Sequence, residues 1–194
     1  MKGEWCYFKS YVDKQTCERI INDVQVLPVQ DARIGDQHGA GNISSNVRRT
    51  KIRFIQVADQ RFSYIFDILW KTAISANDDF FQFNISRLTY LQFAEYNANE
   101  LAEYKAHHDV FWMNGDPVYH RKLSAVIQLS PEDSYTGGEF EIVDSGVKHR
   151  PPADDVRKQG TILYMPSFLL HQVKPVTSGI RYSLVAWFDG KKWT

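Results

Sequence analysis

Cysteine is scarce in this sequence: Cys6 and Cys17 are the only two. They lack C-x-x-C spacing, so they read as small buried hydrophobes rather than a disulfide or a zinc site. An excess of one charge is missing as well. Lys plus Arg total 23 and Asp plus Glu total 23, which leaves no basic surplus to neutralise phosphates and disfavours a general nucleic-acid partner. Long apolar runs are absent. Ile162 to Met165 and Phe168 to Leu170 flank Pro166 and Ser167 and fall far short of the roughly 18 residues of a membrane span. The opening MKGEWCYFKSYVDK has charges where a secretion signal needs an unbroken apolar stretch. A cytoplasmic protein with no membrane partner is therefore expected. Repeats, low-complexity tracts and Pro/Ser-rich linkers are also missing, and residues 1–194 are expected to form one domain. What is plentiful is aromatic: 5 Trp, 10 Tyr and 12 Phe, in a chain that is 43% hydrophobic.

Asp13 is a candidate N-cap, and Cys17, Ile20, Ile21 and Val24 recur at helical spacing, which predicts a helix over 14–25. Residues 30–46 hold three Gly and little apolar content and are expected to be a mobile loop. A strand over 50–57 and a helix over 59–75 follow, the latter with Phe62, Ile65, Phe66, Leu69, Trp70 and Ala73 on one face. After residue 80 the segments alternate with period two between Gly, Pro and Asp turns. They are FFQFNI, then 88–96, 122–130, 138–143, 161–167, 171–176 and 181–188. Helices first and strands afterwards argue against alternating βαβ units. The expected fold class is mainly β with supporting helices, with a jelly-roll-like core over 86–190 and a helical support and lid loop over 1–85.

In an extended YKAHHD segment, His107 and Asp109 project to one face and His108 to the other. Two potential metal ligands are thus supplied at once, although a lone His-x-Asp triplet is weak evidence. His171 lies far along the chain, after a strand and a Pro-Ser turn. Two His and one carboxylate can cap one face of an octahedral ion and leave three adjacent positions open, which suits non-haem iron(II). Zinc is the alternative, and it favours a tetrahedral set and, in hydrolases, a nearby general base. The bland reading of His171 is a satisfied interior histidine. Arg181 opens a strand on which Ser183, Val185 and Trp187 share its face. An inward Arg needs a carboxylate, and its planar fork suits an acidic cosubstrate as well as a surface Asp or Glu.

YKAHHD, RKLSAVIQLS, the Tyr135-Thr136-Gly137-Gly138-Glu139 turn, the 160–167 strand and HQVKPVTSGIRYSLVAW together resemble iron(II)- and 2-oxoglutarate-dependent oxygenases of the prolyl 4-hydroxylase type. The likeness runs from about residue 86 to 189. It implies a double-stranded β-helix of the cupin-like kind in which His107, Asp109 and His171 hold Fe(2+). It implies further that Arg181 binds the distal carboxylate of 2-oxoglutarate, that Tyr96 lies against the same cosubstrate, and that Arg121 and Trp187 border a peptide site. Dioxygen and 2-oxoglutarate would be consumed, with L-ascorbate as reductant. Two departures stand out. Gln128 replaces a tyrosine that often gives the cosubstrate a second hydrogen bond, and Asn97-Ala98-Asn99-Glu100 replaces a Gly-containing turn.

The expected activity is hydroxylation of a prolyl residue in a peptide or protein. Another peptidyl residue, a free amino acid or a small molecule are alternatives within the same chemistry, and a non-catalytic binding module is the alternative outside it. A related nucleobase demethylase would have a second Arg shortly after Arg181, where the next basic residue is Lys191. Arg48, Arg49, Lys51 and Arg53 either close over a substrate with the loop before them or form a solvated face. The remaining histidines, His38, His108, His120 and His149, and the mixed-charge run 144–159 are expected at the surface.

Overall fold

The computed structural model describes residues 3–31, 48–113, 115–147 and 149–193. In chain order its elements are β1 (Cys6–Phe8), α1 (Lys14–Val24), β2 (Gln30–Asp31), β3 (Lys51–Gln56), α2 (Ser63–Ala76), β4 (Tyr90–Asn97), β5 (Tyr104–His107) and β6 (Tyr119–Gln128). These are followed by β7 (Tyr135–Gly137), β8 (Phe140–Ile142), α3 (Ala153–Arg157), β9 (Ile162–Pro166), β10 (His171–Val173) and β11 (Val176–Lys191). The larger sheet runs β1-β9-β6-β11-β4-β3-β2, with β7 also on β11, and a smaller sheet runs β5-β10-β8. Two sheets of mainly antiparallel strands with a few helices make the double-stranded β-helix that the sequence led us to expect.

Period two decides which side of the larger sheet meets what. Leu91 and Phe93 of β4, Leu123, Ala125 and Ile127 of β6, and Leu184, Ala186 and Phe188 of β11 pack with α1 and α2 in one apolar cluster. Cys17, Ile20 and Val24 of α1 and Ile65, Phe66, Leu69 and Ala73 of α2 complete it. Each buried Leu or Phe contributes roughly 1.5–3 kcal/mol. Asp13 caps α1 by accepting from the Thr16 backbone N–H at 2.9 Å. Deep in this layer, Tyr164 OH donates to the Leu69 carbonyl at 3.0 Å and lies 2.7 Å from Thr72 Oγ1, tying α2 to β9. The other side of the larger sheet holds Tyr96, Gln128, Arg181, Ser183 and Trp187, all buried. This polar side faces the smaller sheet.

Several elements differ from the sequence expectation. FFQFNI is not a strand: Asn77–Phe81 winds as a π-turn at the end of α2 and Gln82 has φ 58. Asn77 explains this, because its side chain accepts from Phe83 N and donates to Phe83 O, both at 2.9 Å, and so closes the turn on itself. β11 begins at Val176 rather than at Arg181, and Gly179 (φ +70) continues the strand instead of ending a turn. Strand β1 has no counterpart in the sequence expectation and joins the larger sheet, as does β3, which matches the strand expected over 50–57, so the first part of the chain contributes strands as well as helices. The run 144–159 contains α3, and Arg157 donates to the carbonyls of Gly137 at 2.9 Å and Tyr135. His120 is buried, at 6% exposure, where a surface position was expected. Trp193 N donates to its Nδ1 at 3.4 Å and Trp112 stands edge-on to its ring. Of the expected loop, Gln30 and Asp31 pair with Ile52 and Lys51. Residues 32–47, with His38, lie outside the described residues.

Gly160 has φ +78, and a methyl group there would overlap the Val12 carbonyl. Gly160→Ala should therefore destabilise the fold by more than about 1 kcal/mol, read as a lower urea midpoint. Gly146→Ala, which meets only an Asp144 side-chain oxygen at 3.3 Å, should leave the midpoint nearly unchanged. Equal midpoints for the two variants would contradict the packing described.

Candidate active site

β5 and β10 pair antiparallel with His107 directly opposite His171. Asp109 follows β5, and its backbone N–H donates to Ser167 O at 2.9 Å just before β10 begins. His107, Asp109 and His171 each offer a ligand atom, and these atoms lie within 4.8 Å of one another. His107 Nε2 is 3.7 Å from Asp109 Oδ1 and His171 Nε2 is 3.6 Å from Asp109 Oδ2, too long for hydrogen bonds. The other ring nitrogens are occupied: His107 Nδ1 lies 2.8 Å from Lys105 O and His171 Nδ1 lies 2.8 Å from Leu169 O. If these Nδ1 atoms donate, both Nε2 lone pairs point toward the carboxylate, as shared metal ligation needs. Ser124 Oγ donates to Asp109 Oδ2 at 2.7 Å and holds that carboxylate in place.

Burial pushes the His107 imidazolium down to about 3; the neighbouring His171 acts in the same direction and Asp109 against it. Burial alone would raise the Asp109 carboxyl, but His171, His107, Arg121 and the Ser124 hydrogen bond outweigh it and hold it below the usual carboxylate range. Neutral imidazole and carboxylate are the forms that bind a cation.

Arg181, at 3% exposure, pairs in register with Tyr96 across β11 and β4. Its guanidinium sits 5.3 Å from the Tyr96 ring centroid and 3.5 Å from Ser183 Oγ, and makes no salt bridge among the described residues. Arg181, Tyr96 and Trp187 line a narrow cleft of about 30 Å³ with all three candidate ligands. A wider cavity of about 430 Å³ shares Arg181 and Phe140 with it but touches none of the ligands. Gln128 faces that cavity, and its amide donates to Ser130 O at 3.1 Å. At the mouth, Arg121 stacks 3.9 Å over Trp187, donates to Tyr90 OH at 2.5 Å and to Asp109 O at 3.3 Å, and borders a hollow of about 250 Å³.

Six of the seven residues singled out in the sequence thus line one cleft, and the seventh, Arg121, stands beside it against Trp187 and the Asp109 carbonyl. Sequence reasoning missed Ser124, Tyr104 and Arg48. Ser124 has the inward parity of β6, a readable signal. Tyr104 lies with its ring 3.4 Å from that of His107, and Arg48 lies 4.3 Å over the other aromatic, Tyr104. The basic group after residue 47 divides: Arg49 and Lys51 pair at the solvated surface, Arg53 in a nearly buried pair, and the loop that would close with them lies outside the described residues. Arg49 pairs with Glu103 at 2.8 Å, Lys51 with Glu100 at 3.3 Å and Arg53 with Glu95 at 3.3 Å, while Arg48 enters the cleft.

Residues 91–189 match the family model of the 2OG-Fe(II) oxygenase superfamily. The chain belongs to that superfamily. The oxygenase is 31% identical over 182 residues to the PKHD-type hydroxylase YbiX of Shigella dysenteriae, across 84% of this chain and 75% of that protein. A PKHD-type hydroxylase of Cupriavidus pinatubonensis is 37% identical over 67 residues, which span 34% of this chain and only 28% of that protein. In fold, the oxygenase matches a Trichoplax adhaerens prolyl hydroxylase solved with a hypoxia inducible factor peptide, with TM-score 0.73, 17% identity and coverage of 96% and 83% of the two chains. A Pseudomonas putida prolyl-4-hydroxylase matches with TM-score 0.68, 18% identity and coverage of 99% and 94%. The family model and the YbiX relative make it a 2-oxoglutarate-dependent dioxygenase related to PKHD-type hydroxylases, with the fold of the prolyl hydroxylase structures. The family's Fe(2+) and 2-oxoglutarate suit what is present, a two-His, one-carboxylate donor set beside a buried arginine with no acid of its own. Among the described residues, no helix is long and apolar enough to cross a membrane.

The folded value for His107, about 3, lies below the unfolded value of about 6.5. As pH falls, the unfolded chain therefore takes up the proton first, and stability present above pH ~6.5 is lost progressively toward pH ~3. Thermal melts of metal-free oxygenase should show midpoints falling between pH 7 and 4, with a shallower fall in His107→Gln. A slope that the substitution leaves unchanged would remove His107 as its source.

Proposed function

We propose that the oxygenase hydroxylates a prolyl residue in a peptide or protein and releases succinate and CO2, with residues 86–190 as its catalytic core and 1–85 as support. The observation that carries this reading is the juxtaposition in one cleft of the His107, Asp109 and His171 cluster with Arg181 and Trp187. His107, Asp109 and His171 would hold Fe(2+), and the bound iron and 2-oxoglutarate supply oxidative decarboxylation coupled to transfer of one oxygen atom from O2 into a substrate C–H bond.

The protein's part is placement. Arg181, held in the sheet interior, binds the distal carboxylate of 2-oxoglutarate through a charge-assisted fork. Tyr96, fixed opposite Arg181 by the β4–β11 register, packs against the same cosubstrate and excludes water. Ser124 fixes the ligating carboxylate from behind. Arg121 and Trp187 border the substrate, and the Trp187 face offers a prolyl ring an apolar wall. Ascorbate would keep the iron reduced. A reducing cytoplasm fits two buried cysteines that are both free thiols, each pushed by burial up to about 12.

The test is succinate release with iron, 2-oxoglutarate, ascorbate and proline-containing peptides, read beside a +16 Da product. Asp109→Ala and His171→Ala should abolish turnover, and unchanged turnover in either would remove the iron assignment. Arg181→Ala should raise the apparent KM for 2-oxoglutarate about 10–100-fold, the cost of a lost hydrogen bond to a charged group. An unaltered KM would remove its role. Product on residues other than proline would replace the prolyl reading.

A further inference from the structure

Arg48 is a cation in the catalytic cleft that no described residue neutralises. It is 6% exposed, its Nε and Nη2 have no hydrogen-bond partner, and its Nη1 reaches only the neutral Gln92 Oε1 at 3.5 Å. It makes no salt bridge among the described residues. Its placement is nonetheless built. Its backbone bridges to Tyr104, Arg49 N donates to Glu103 O at 3.0 Å, and Arg49 Nη2 donates to Leu101 O at 3.0 Å. Leaving a buried guanidinium unpaired is costly, so an anion is expected to meet it.

That anion is not readily 2-oxoglutarate. Gln92, beside the Arg48 fork, pairs with Val185, whereas Arg181 pairs with Tyr96, four residues further along β4. Four residues of strand put the two side chains on backbone levels about 13 Å apart, so Arg48 and Arg181 enter the cleft at different levels. Charge gives the same answer. Bound iron(II) and Arg181 would bring three positive charges against three negative ones from Asp109 and the cosubstrate dianion; Arg121 is held by Tyr90 OH and the Asp109 carbonyl, and Arg48 is left with only Gln92. The other buried donor without a partner in this cleft is Trp187 Nε1, two residues beyond Val185 on β11. The end of the cleft away from Arg181 thus presents donors and asks for acceptors.

Building on the prolyl reading, we propose that Arg48 is a specificity residue that binds a carboxylate of the oxidised substrate, so that the oxygenase prefers acidic substrates. The carboxylate can come from an acidic side chain beside the target proline, from a C-terminus, or from free proline.

The experiment uses oxygenase loaded with Mn(II) and 2-oxoglutarate without oxygen. It measures binding of matched proline peptides carrying Glu or Gln beside the proline, of the same peptide as C-terminal acid or amide, and of L-proline or prolinamide. The acid of at least one pair should bind about tenfold more tightly than its neutral partner, as expected for a hydrogen bond to a charged group. Arg48→Gln should erase that difference while changing 2-oxoglutarate affinity less than about threefold, and Arg48→Lys should keep part of it. The comparison within wild-type protein stands even if a variant melts early. Equal binding within all three pairs, discrimination that survives Arg48→Gln, or a tenfold loss of 2-oxoglutarate affinity in that variant would each overturn the proposal. Discrimination confined to L-proline would leave Arg48 standing and overturn the peptide reading. Hydroxylated peptidyl proline with no acid preference would do the reverse.

Discussion

The antiparallel pairing of β5 with β10 is the constraint from which the site follows. It sets His107 opposite His171, two residues that loop length alone would leave far apart. The same pairing closes the chain around Asp109, whose N–H is held by Ser167 O. Because each imidazole uses Nδ1 on a backbone carbonyl two residues before it, the strand itself orients both rings. The ligand set is therefore a property of backbone hydrogen bonds, and the side chains need little freedom to form it.

The larger sheet does two tasks on its two faces. Leu184, Ala186 and Phe188 of β11 supply apolar area to the helices, and the alternating Arg181, Ser183 and Trp187 supply polar groups to the cleft. Burying those polar groups costs free energy unless each finds a partner. Ser124 finds Asp109 and Gln128 finds Ser130, but Arg181, Arg48 and Trp187 Nε1 have few or no good acceptors. The shortfall is concentrated where ligands bind, and the helical layer offsets it elsewhere.

The neutral balance of 23 basic and 23 acidic residues conceals this local excess of positive charge. Arg49 and Lys51 are matched by Glu103 and Glu100 at the surface, and Arg53 by Glu95 in a nearly buried pair, while Arg48 and Arg181 in the cleft have no acid among the described residues. Surface pairs of that kind add little stability. They do hold the segment that delivers Arg48, because Arg49 is anchored to the start of β5 through Glu103 and Leu101.

Much of this was written in local pattern. Period two assigned inward parity to Arg181, Ser183, Val185 and Trp187, and a two-residue spacing put His107 and Asp109 together, because strand geometry is local. FFQFNI misled for the opposite reason: its alternation was real, but Asn77 closed a turn on Phe83 before any strand could pair with it. Arg48 looked like one of several surface basic residues, since nothing adjacent in sequence reveals that Tyr104 and Gln92 will enclose it. By itself the sequence determined the fold class, the inward faces of the strands and the candidate ligand set. Only tertiary structure decided which charges lose their partners, because burial and pairing depend on segments brought together from distant parts of the chain.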